Sequence, residues 1–276
     1  IVSINGERIE KLVKKYLPIT PASNYDTQLR DLPWNYLMRS KDEQMQFVVK
    51  RNGRLIKLNI TTLKGKSNYR APGQKEKEAY YLINDQIGYV NAGKYLNSEL
   101  PQMEKMFANS KGIIVDLREY PSDFMPYTFA SYIKSFKSMF LKLSTVDYSN
   151  PGTFVITDSA YNGPAKNVES YNGKVVVIVN SDTQSQGEFT TMAFQSSPNV
   201  IVIGSQTAGA DGEVTTIVLP GGIYTRISSK GVFYPNNSST QGTGVKINLI
   251  VKPTIKGIMD GKDELLEKAI NILTNN

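Results

Sequence analysis

Three short runs in the second half of the chain carry almost no polar residue: GIIVDL at 112–117, KVVVIV at 174–179 and NVIVIG at 199–204. Each has the length of a strand, and none alternates apolar with polar. A strand without a polar face must be covered on both faces, as in a parallel sheet sandwiched by helices. QIGYVNA at 86–92 reads as a further strand. The segments 97–110, 127–140, 186–195 and 261–273 have helical spacing, so strands and helices alternate in an α/β pattern. In such sheets ligands gather beyond the carboxyl ends of the strands. That expectation brings three loops to one edge: REYPSD (118–123), NSDTQS (180–185) and QTAGADG (206–212).

The first part of the chain reads differently. IVSI is a short strand, NGER a turn, and EKLVKKYL a helix that stops at Pro18. Residues 23–39 read as a second helix, with Ser23 as cap and Pro33 as kink or boundary. The segment 45–61 is a hairpin, because two β-rich runs flank Asn52-Gly53, the preferred pair for a tight primed turn. Residues 65–79, GKSNYRAPGQKEKEA, are polar and punctuated by Gly and Pro. The expected organisation is a small unit at 1–64, a linker at 65–79 and an α/β core at 80–276. The abrupt start in IVSING suggests that further sequence, including any export signal, precedes Ile1.

Composition excludes several chemistries. The 276 residues contain no Cys and no His, so thiol nucleophiles, His-ligated zinc and a Ser-His-Asp triad are ruled out. The net charge of +7 is spread among acids rather than gathered with aromatics, which argues against a nucleic-acid partner. The longest aliphatic run, Val175 to Val179, falls far short of the ~20 residues of a membrane span. No carboxylate cluster has metal-ligand spacing, and no cofactor is expected.

Ser185 lies where KVVVIV hands over to a helix, and Ser185-Gln186-Gly187-Glu188 fits a capping box. A serine there has a second capacity. The Gln186 amide and the start of the helix favour a developing negative charge, which supplies a nucleophile and half of an oxyanion hole. The loop after GIIVDL carries Arg118 and a Pro turn whose amides near Ser122 are candidates for the second donor.

The motif order INGERIE, hairpin, IGYVNAGK, GIIVDLREYPSD, VVVIVNSDTQSQGEF, VIVIGSQTAGADG and VKPTIKGI resembles the C-terminal processing, or tail-specific, serine peptidases over nearly the whole chain. The resemblance implies a PDZ-like domain followed by a core of the ClpP/crotonase type. INGERI and the hairpin would be the later half of that PDZ-like domain, enlarged by a helical insert at 10–40. Its first strand and carboxylate-binding loop would lie upstream. DLREYPSD is similar to the family's Asp-Leu-Arg-x-Asn-Pro-Gly-Gly, whose glycine amide helps hold the oxyanion. In NSDTQSQGEF the nucleophile of the family stands three residues before a glutamate, which selects Ser185 and Glu188 and excludes Ser181. The implied activity is peptide-bond hydrolysis through an acyl-enzyme, on a polypeptide substrate, in the periplasm or cell envelope.

Two departures mark a Bacteroidetes-like variant. Members of the family carry a lysine base in the turn after the next strand, and Ala210 occupies that position here. Ser122-Asp123 replaces the glycine pair. Three substitutes for the base are open: Lys94, if burial lowers its pKa; Asp211, if its own is raised; or a group from elsewhere. Lys94 also reads as a solvated lysine, Asp211 as a turn stabiliser, Arg118 as a structural ion pair or a partner for a substrate carboxylate, and Glu188 as a cap. The competing function is a peptide-binding protein that keeps the fold without efficient proteolysis.

Overall fold

The computed structural model describes residues 1–63, 78–164 and 169–275. The chain divides into two compact units, Ile1–Glu76 and Lys77–Asn276. Most of the expected linker, 65–77, lies outside the described residues.

In the first unit, strands β1 (Ser3–Ile4), β2 (Glu7–Arg8), β3 (Gln44–Arg51) and β4 (Arg54–Thr61) form one antiparallel sheet in the order β2-β1-β3-β4. Asn52 and Gly53 take φ of 49° and 78°, the left-handed pair that a primed turn requires. Helices α1 (Ile9–Tyr16) and α2 (Tyr25–Leu32) bury Leu12 and Leu32 with Ile4, Met45 and Phe47. The cap of α2 is Asn24, one residue after the expected Ser23: its carbonyl oxygen accepts from the Thr27 amide at 3.0 Å. Beyond α2, Pro33 opens a wider turn of π-helix, Pro33–Leu37.

The second unit is built on a six-stranded mixed sheet. Its strands are β5 (Tyr80–Ile83), β6 (Ile87–Asn91), β7 (Gly112–Asp116), β10 (Lys174–Val179), β11 (Val200–Gly204) and β15 (Leu249–Ile250), in the order β15-β11-β10-β7-β6-β5. All neighbours are parallel except the edge strand β5. Every residue of β7, and Val175–Val179 of β10, is buried, as strands covered on both faces must be. Alternate side chains feed two cores. Val175, Val177 and Val179 pack with Met192 and Phe194 of α5 (Gln186–Gln195). Val176 and Ile178 pack with Leu265, Ala269 and Leu273 of α7 (Glu264–Thr274). The helix expected at 97–110 is a 3-10 turn, Asn97–Glu99, followed by α3 (Leu100–Phe107). Helix α6 (Ile255–Met259) precedes α7.

The expected helix at 127–140 is not formed. Only one turn, α4 (Phe129–Tyr132), is helical; the chain then runs into β8 (Ser138–Val146). Strand β8 pairs with β9 (Phe154–Asn162) on one side and β14 (Gly231–Phe233) on the other. Pairing with β9, the next strand, and with the far-off β14 overrides the local helical spacing. Strands β12 (Val214–Leu219) and β13 (Ile223–Ser228) form a separate exposed hairpin, turning at Gly221 and Gly222.

Candidate active site

The turn after β10 is fastened by its own polar side chains. The Asn180 amide donates to Thr183 Oγ1 at 3.1 Å and the Asp182 amide to Asn180 Oδ1 at 2.9 Å. Thr183, almost wholly buried, donates its hydroxyl to the Leu117 carbonyl at 2.8 Å. Its own carbonyl accepts from the Ala208 amide at 3.0 Å. Thr183 thereby joins the ends of β7, β10 and β11, so the three loops expected at one sheet edge do meet there.

Ser185 closes this turn with φ 51° and ψ −116°. A non-glycine residue in that region costs about 1–3 kcal/mol and persists only where its surroundings enforce it. It is half-buried, and it caps α5 in a capping box with Glu188. The carboxylate half of the box is a direct bond, from the Ser185 amide to Glu188 Oε2 at 3.3 Å. The serine hydroxyl faces the Glu188 amide but makes no cap hydrogen bond. The Gln186 amide, first of the helix, has no hydrogen-bond partner among the described residues. Its side chain donates to the Asp123 carbonyl at 2.9 Å and fixes the 121–123 turn beside the serine.

Glu188 does more than cap. Fully buried, it also accepts from Thr207 Oγ1 at 2.6 Å, the Gly209 amide at 2.7 Å and the Ala210 amide at 2.9 Å. Burial pushes its pKa up, against the pull of these donors. Because Oε2 holds the amides of both Ser185 and Ala210, the position of the missing lysine stands directly beside the serine turn. Asp211, the next residue, is 5% exposed. Its Oδ1 accepts from the Gly212 amide at 2.8 Å, while Oδ2 is buried with no hydrogen-bond partner. Burial, reinforced by the charge of Glu188, raises its pKa to about 7.

Two expected residues are placed elsewhere. The Ser122 amide, expected to hold an oxyanion, already donates to the Ala92 carbonyl at 2.9 Å, and its hydroxyl to the Tyr95 carbonyl at 2.6 Å. A serine in place of glycine pins this turn to the end of β6 and consumes the donor. The amide of Asp123, next in the turn, has no partner among the described residues. Arg118 is held by two carboxylates: it makes paired hydrogen bonds to Asp116 (2.9 and 2.7 Å) and to Asp263 (2.9 and 2.7 Å), the cap of α7. With Tyr89 donating to Asp116 at 2.9 Å, this is a structural ion-pair network rather than a site for substrate. Lys94, half-buried, lies in the 3-10 turn Ala92–Lys94, where Gly93 packs against the Glu119 side chain.

Sequence reasoning passed over one lysine. Lys134 is fully buried, with Nζ donating to Asn162 Oδ1 and Ser196 Oγ, both at 2.6 Å. Burial lowers its pKa to about 8. It lies at the far end of α5, and a lysine in an irregular segment leaves no mark in sequence that foretells such burial. Among the described residues no group of three or more potential ligands could hold a metal ion, and no helix is long and apolar enough to cross a membrane.

Residues 81–251, well over half of the chain, match peptidase family S41. The chain belongs to peptidase family S41. It is by that membership a serine-type peptidase, a hydrolase. No curated protein matches the chain in sequence. Among solved structures, a candidate peptidase from Parabacteroides merdae is 20% identical with a TM-score of 0.65, covering 98% of this chain and 90% of that one. Mature CPAF in complex with lactacystin is 12% identical at a TM-score of 0.73, covering 100% of this chain and 78% of that one. A candidate S41 protease from Bacteroides fragilis is 16% identical at 0.51, covering 100% and 72%. At these identities the likenesses establish the S41 fold and not the details of its site.

Proposed function

We propose that this S41 protein cleaves polypeptides through an acyl-enzyme on Ser185, in the manner of a C-terminal processing peptidase. The observation that carries the reading is the strained Ser185 turn, whose amide shares Glu188 Oε2 with the loop that holds Asp211. In the proposed cycle Asp211 takes the hydroxyl proton, directly or through one water, as the serine oxygen bonds to the scissile carbon. The Gln186 and Asp123 amides receive the oxyanion. The proton passes to the leaving amine as the C–N bond breaks, and water then hydrolyses the ester by the same path. Glu188 positions both loops and does not touch substrate. Lys94, half-buried in the turn after β6, is the alternative base.

A second reading has its own observation: Ala210 stands where members of the family place their lysine. It describes a protein that binds peptides without efficient hydrolysis. A fluorophosphonate probe separates the two. Labelling at Ser185 that disappears in Ser185→Ala supports the peptidase; no labelling of the wild type anywhere from pH 6 to 10 would leave the binding protein. The resemblance further supports a PDZ-like origin for the sheet β2-β1-β3-β4 with its two helices, and a place in the periplasm or cell envelope. Localisation of the tagged full-length protein tests the latter.

A further inference from the structure

A line of aromatic rings leads away from the serine. Phe189, one turn into α5, lies 5.8 Å from Phe124 and 5.3 Å from Phe140, centroid to centroid. Tyr127 in turn lies 5.8 Å from Phe124 and 6.0 Å from Phe140. Phe124 and Tyr127 are exposed at 42% and 49%, so this is an apolar wall open to solvent. The wall begins beside the nucleophile, because Gln186 holds the carbonyl of Asp123, the residue before Phe124.

Tyr127 is also one side of a cleft of about 410 Å³ whose other walls include Ser131, Lys137, Tyr161 and Asn162. Among the described residues, none that lines the cleft is acidic. The hydroxyls of Tyr127, Ser131 and Tyr161 have no hydrogen-bond partner among the described residues. The Lys137 ammonium sits 5.8 Å over the Tyr161 ring and pairs with no carboxylate among the described residues. Behind Asn162 lies the buried ammonium of Lys134, held by neutral oxygens alone. A buried cation without a carboxylate projects its field into the nearest low-dielectric space. Three unused hydroxyl donors, one ammonium and a second positive charge behind them describe a receptor for an anion.

We propose that this cleft is a substrate subsite for a carboxylate, reached from the scissile bond along the aromatic wall. The inference rests on Ser185 as the reacting residue. The spacing follows from α5: Asn162 Nδ2 donates to the Ala193 carbonyl, eight residues beyond Ser185, or ~12 Å along the helix. An extended peptide spans that distance in about four residues. The carboxylate belongs either to the chain terminus or to an acidic side chain about four residues from the cleaved bond, with apolar residues between.

Binding of dye-labelled hexapeptides to the Ser185→Ala protein, read by fluorescence anisotropy, tests the subsite without turnover. Three peptides share an apolar sequence: one ends in a free carboxylate, one is amidated with a glutamate at the fifth position, and one is amidated and neutral. At least one carboxylate peptide should bind roughly tenfold or more tightly than the neutral one, as a charge-assisted hydrogen bond implies, and which one does identifies the source. The preference should vanish in Lys137→Met and turn towards a lysine-bearing peptide in Lys137→Glu. Equal binding of all three, no measurable binding, or a preference that survives Lys137→Met overturns the subsite. Fluorophosphonate labelling of the wild type is the separate check on the serine. Labelling without a carboxylate preference removes the subsite and leaves the peptidase; a preference without labelling does the reverse.

Discussion

Helix α5 carries a serine at each end, and the two ends could hardly differ more. At the amino end Ser185 is twisted to φ 51°, and its amide is held by the buried Glu188, which also holds the amide of Ala210, the residue before the buried Asp211. At the carboxyl end Ser196 sits at an ordinary φ of −73°, 2.6 Å from a buried lysine. A serine beside a lysine of lowered pKa has the parts of a dyad, but the helix dipole argues against one there. The carboxyl end stabilises cations, so Lys134 is at home, whereas an oxyanion would be repelled by the same carbonyls. The amino end favours negative charge and carries the strain. On the proposed reading the chemistry belongs at the amino end, with Asp211 as the proton acceptor and Lys94 as the alternative.

The largest effect should come from Asp211→Asn. If the Oδ2 without a partner is the proton acceptor, fluorophosphonate labelling of Ser185 should slow by about 10²-fold or more. The matching change at the other end, Lys134→Met, should leave the labelling rate within about twofold. Slowing in Lys134→Met alone would reverse the assignment of the two ends.

Stability should separate the ends next. Glu188→Ala strips four donors of one buried acceptor and should cost about 3–5 kcal/mol, lowering Tm by roughly 10 °C. Lys134→Met removes an ammonium whose partners already bond each other: the Ser196 hydroxyl shares its one proton between the Ala193 carbonyl at 2.7 Å and Asn162 Oδ1 at 3.1 Å. An apolar side chain of similar length there should be within about 1 kcal/mol of neutral. Differential scanning calorimetry of both variants decides whether Glu188 is the clamp described here.

The pH response should have opposite signs. Asp211 titrates near 7 when folded and near 3.8 when unfolded, so between those values the folded state binds more protons. Stability should therefore fall as pH rises from about 4 to about 7, by up to ~4 kcal/mol, with Glu188 adding in the same direction. Lys134 titrates near 8 when folded and near 10.5 when unfolded, so the unfolded state binds more protons there and stability should rise with pH across that interval. Urea midpoints from pH 4.5 to 10 should show both limbs. Asp211→Asn should flatten the first and Lys134→Met the second; limbs unchanged in the variants would contradict the burial argument.

How far these two ends are legible in the sequence follows from what creates each. The amino end was written in short-range pattern: an apolar strand, a turn, and Ser185 three residues before Glu188. The parallel strands at 112–117, 174–179 and 199–204 and the Asn52-Gly53 turn were equally readable, because burial on both faces and left-handed φ leave direct marks in residue choice. The carboxyl end was not. Phe129, Tyr132, Ile133, Phe136 and Phe140 follow helical spacing, yet pairing with the adjacent β9 and the remote β14 turns the last of them into strand, and no local signal encodes the remote partner. Lys134 lies in that segment. The pKa of Asp211 is likewise a product of burial by several loops, and the loss of the Ser122 amide depends on where Ala92 comes to rest.

The smallest effect tests the strain itself. Ser185→Gly removes the Cβ that makes φ 51° costly, and the capping box loses only a hydroxyl that forms no cap hydrogen bond. The variant should be more stable than the wild type by about 1 kcal/mol, while fluorophosphonate labelling disappears. Ser196→Ala should do the opposite: it loses hydrogen bonds to the Ala193 carbonyl and to Lys134, costs about 1 kcal/mol, and leaves labelling intact. A serine retained at a position that glycine would stabilise is held there for its oxygen. If Ser185→Gly instead destabilises as much as Ser196→Ala does, the turn is not strained, and Ser185 is a cap like any other.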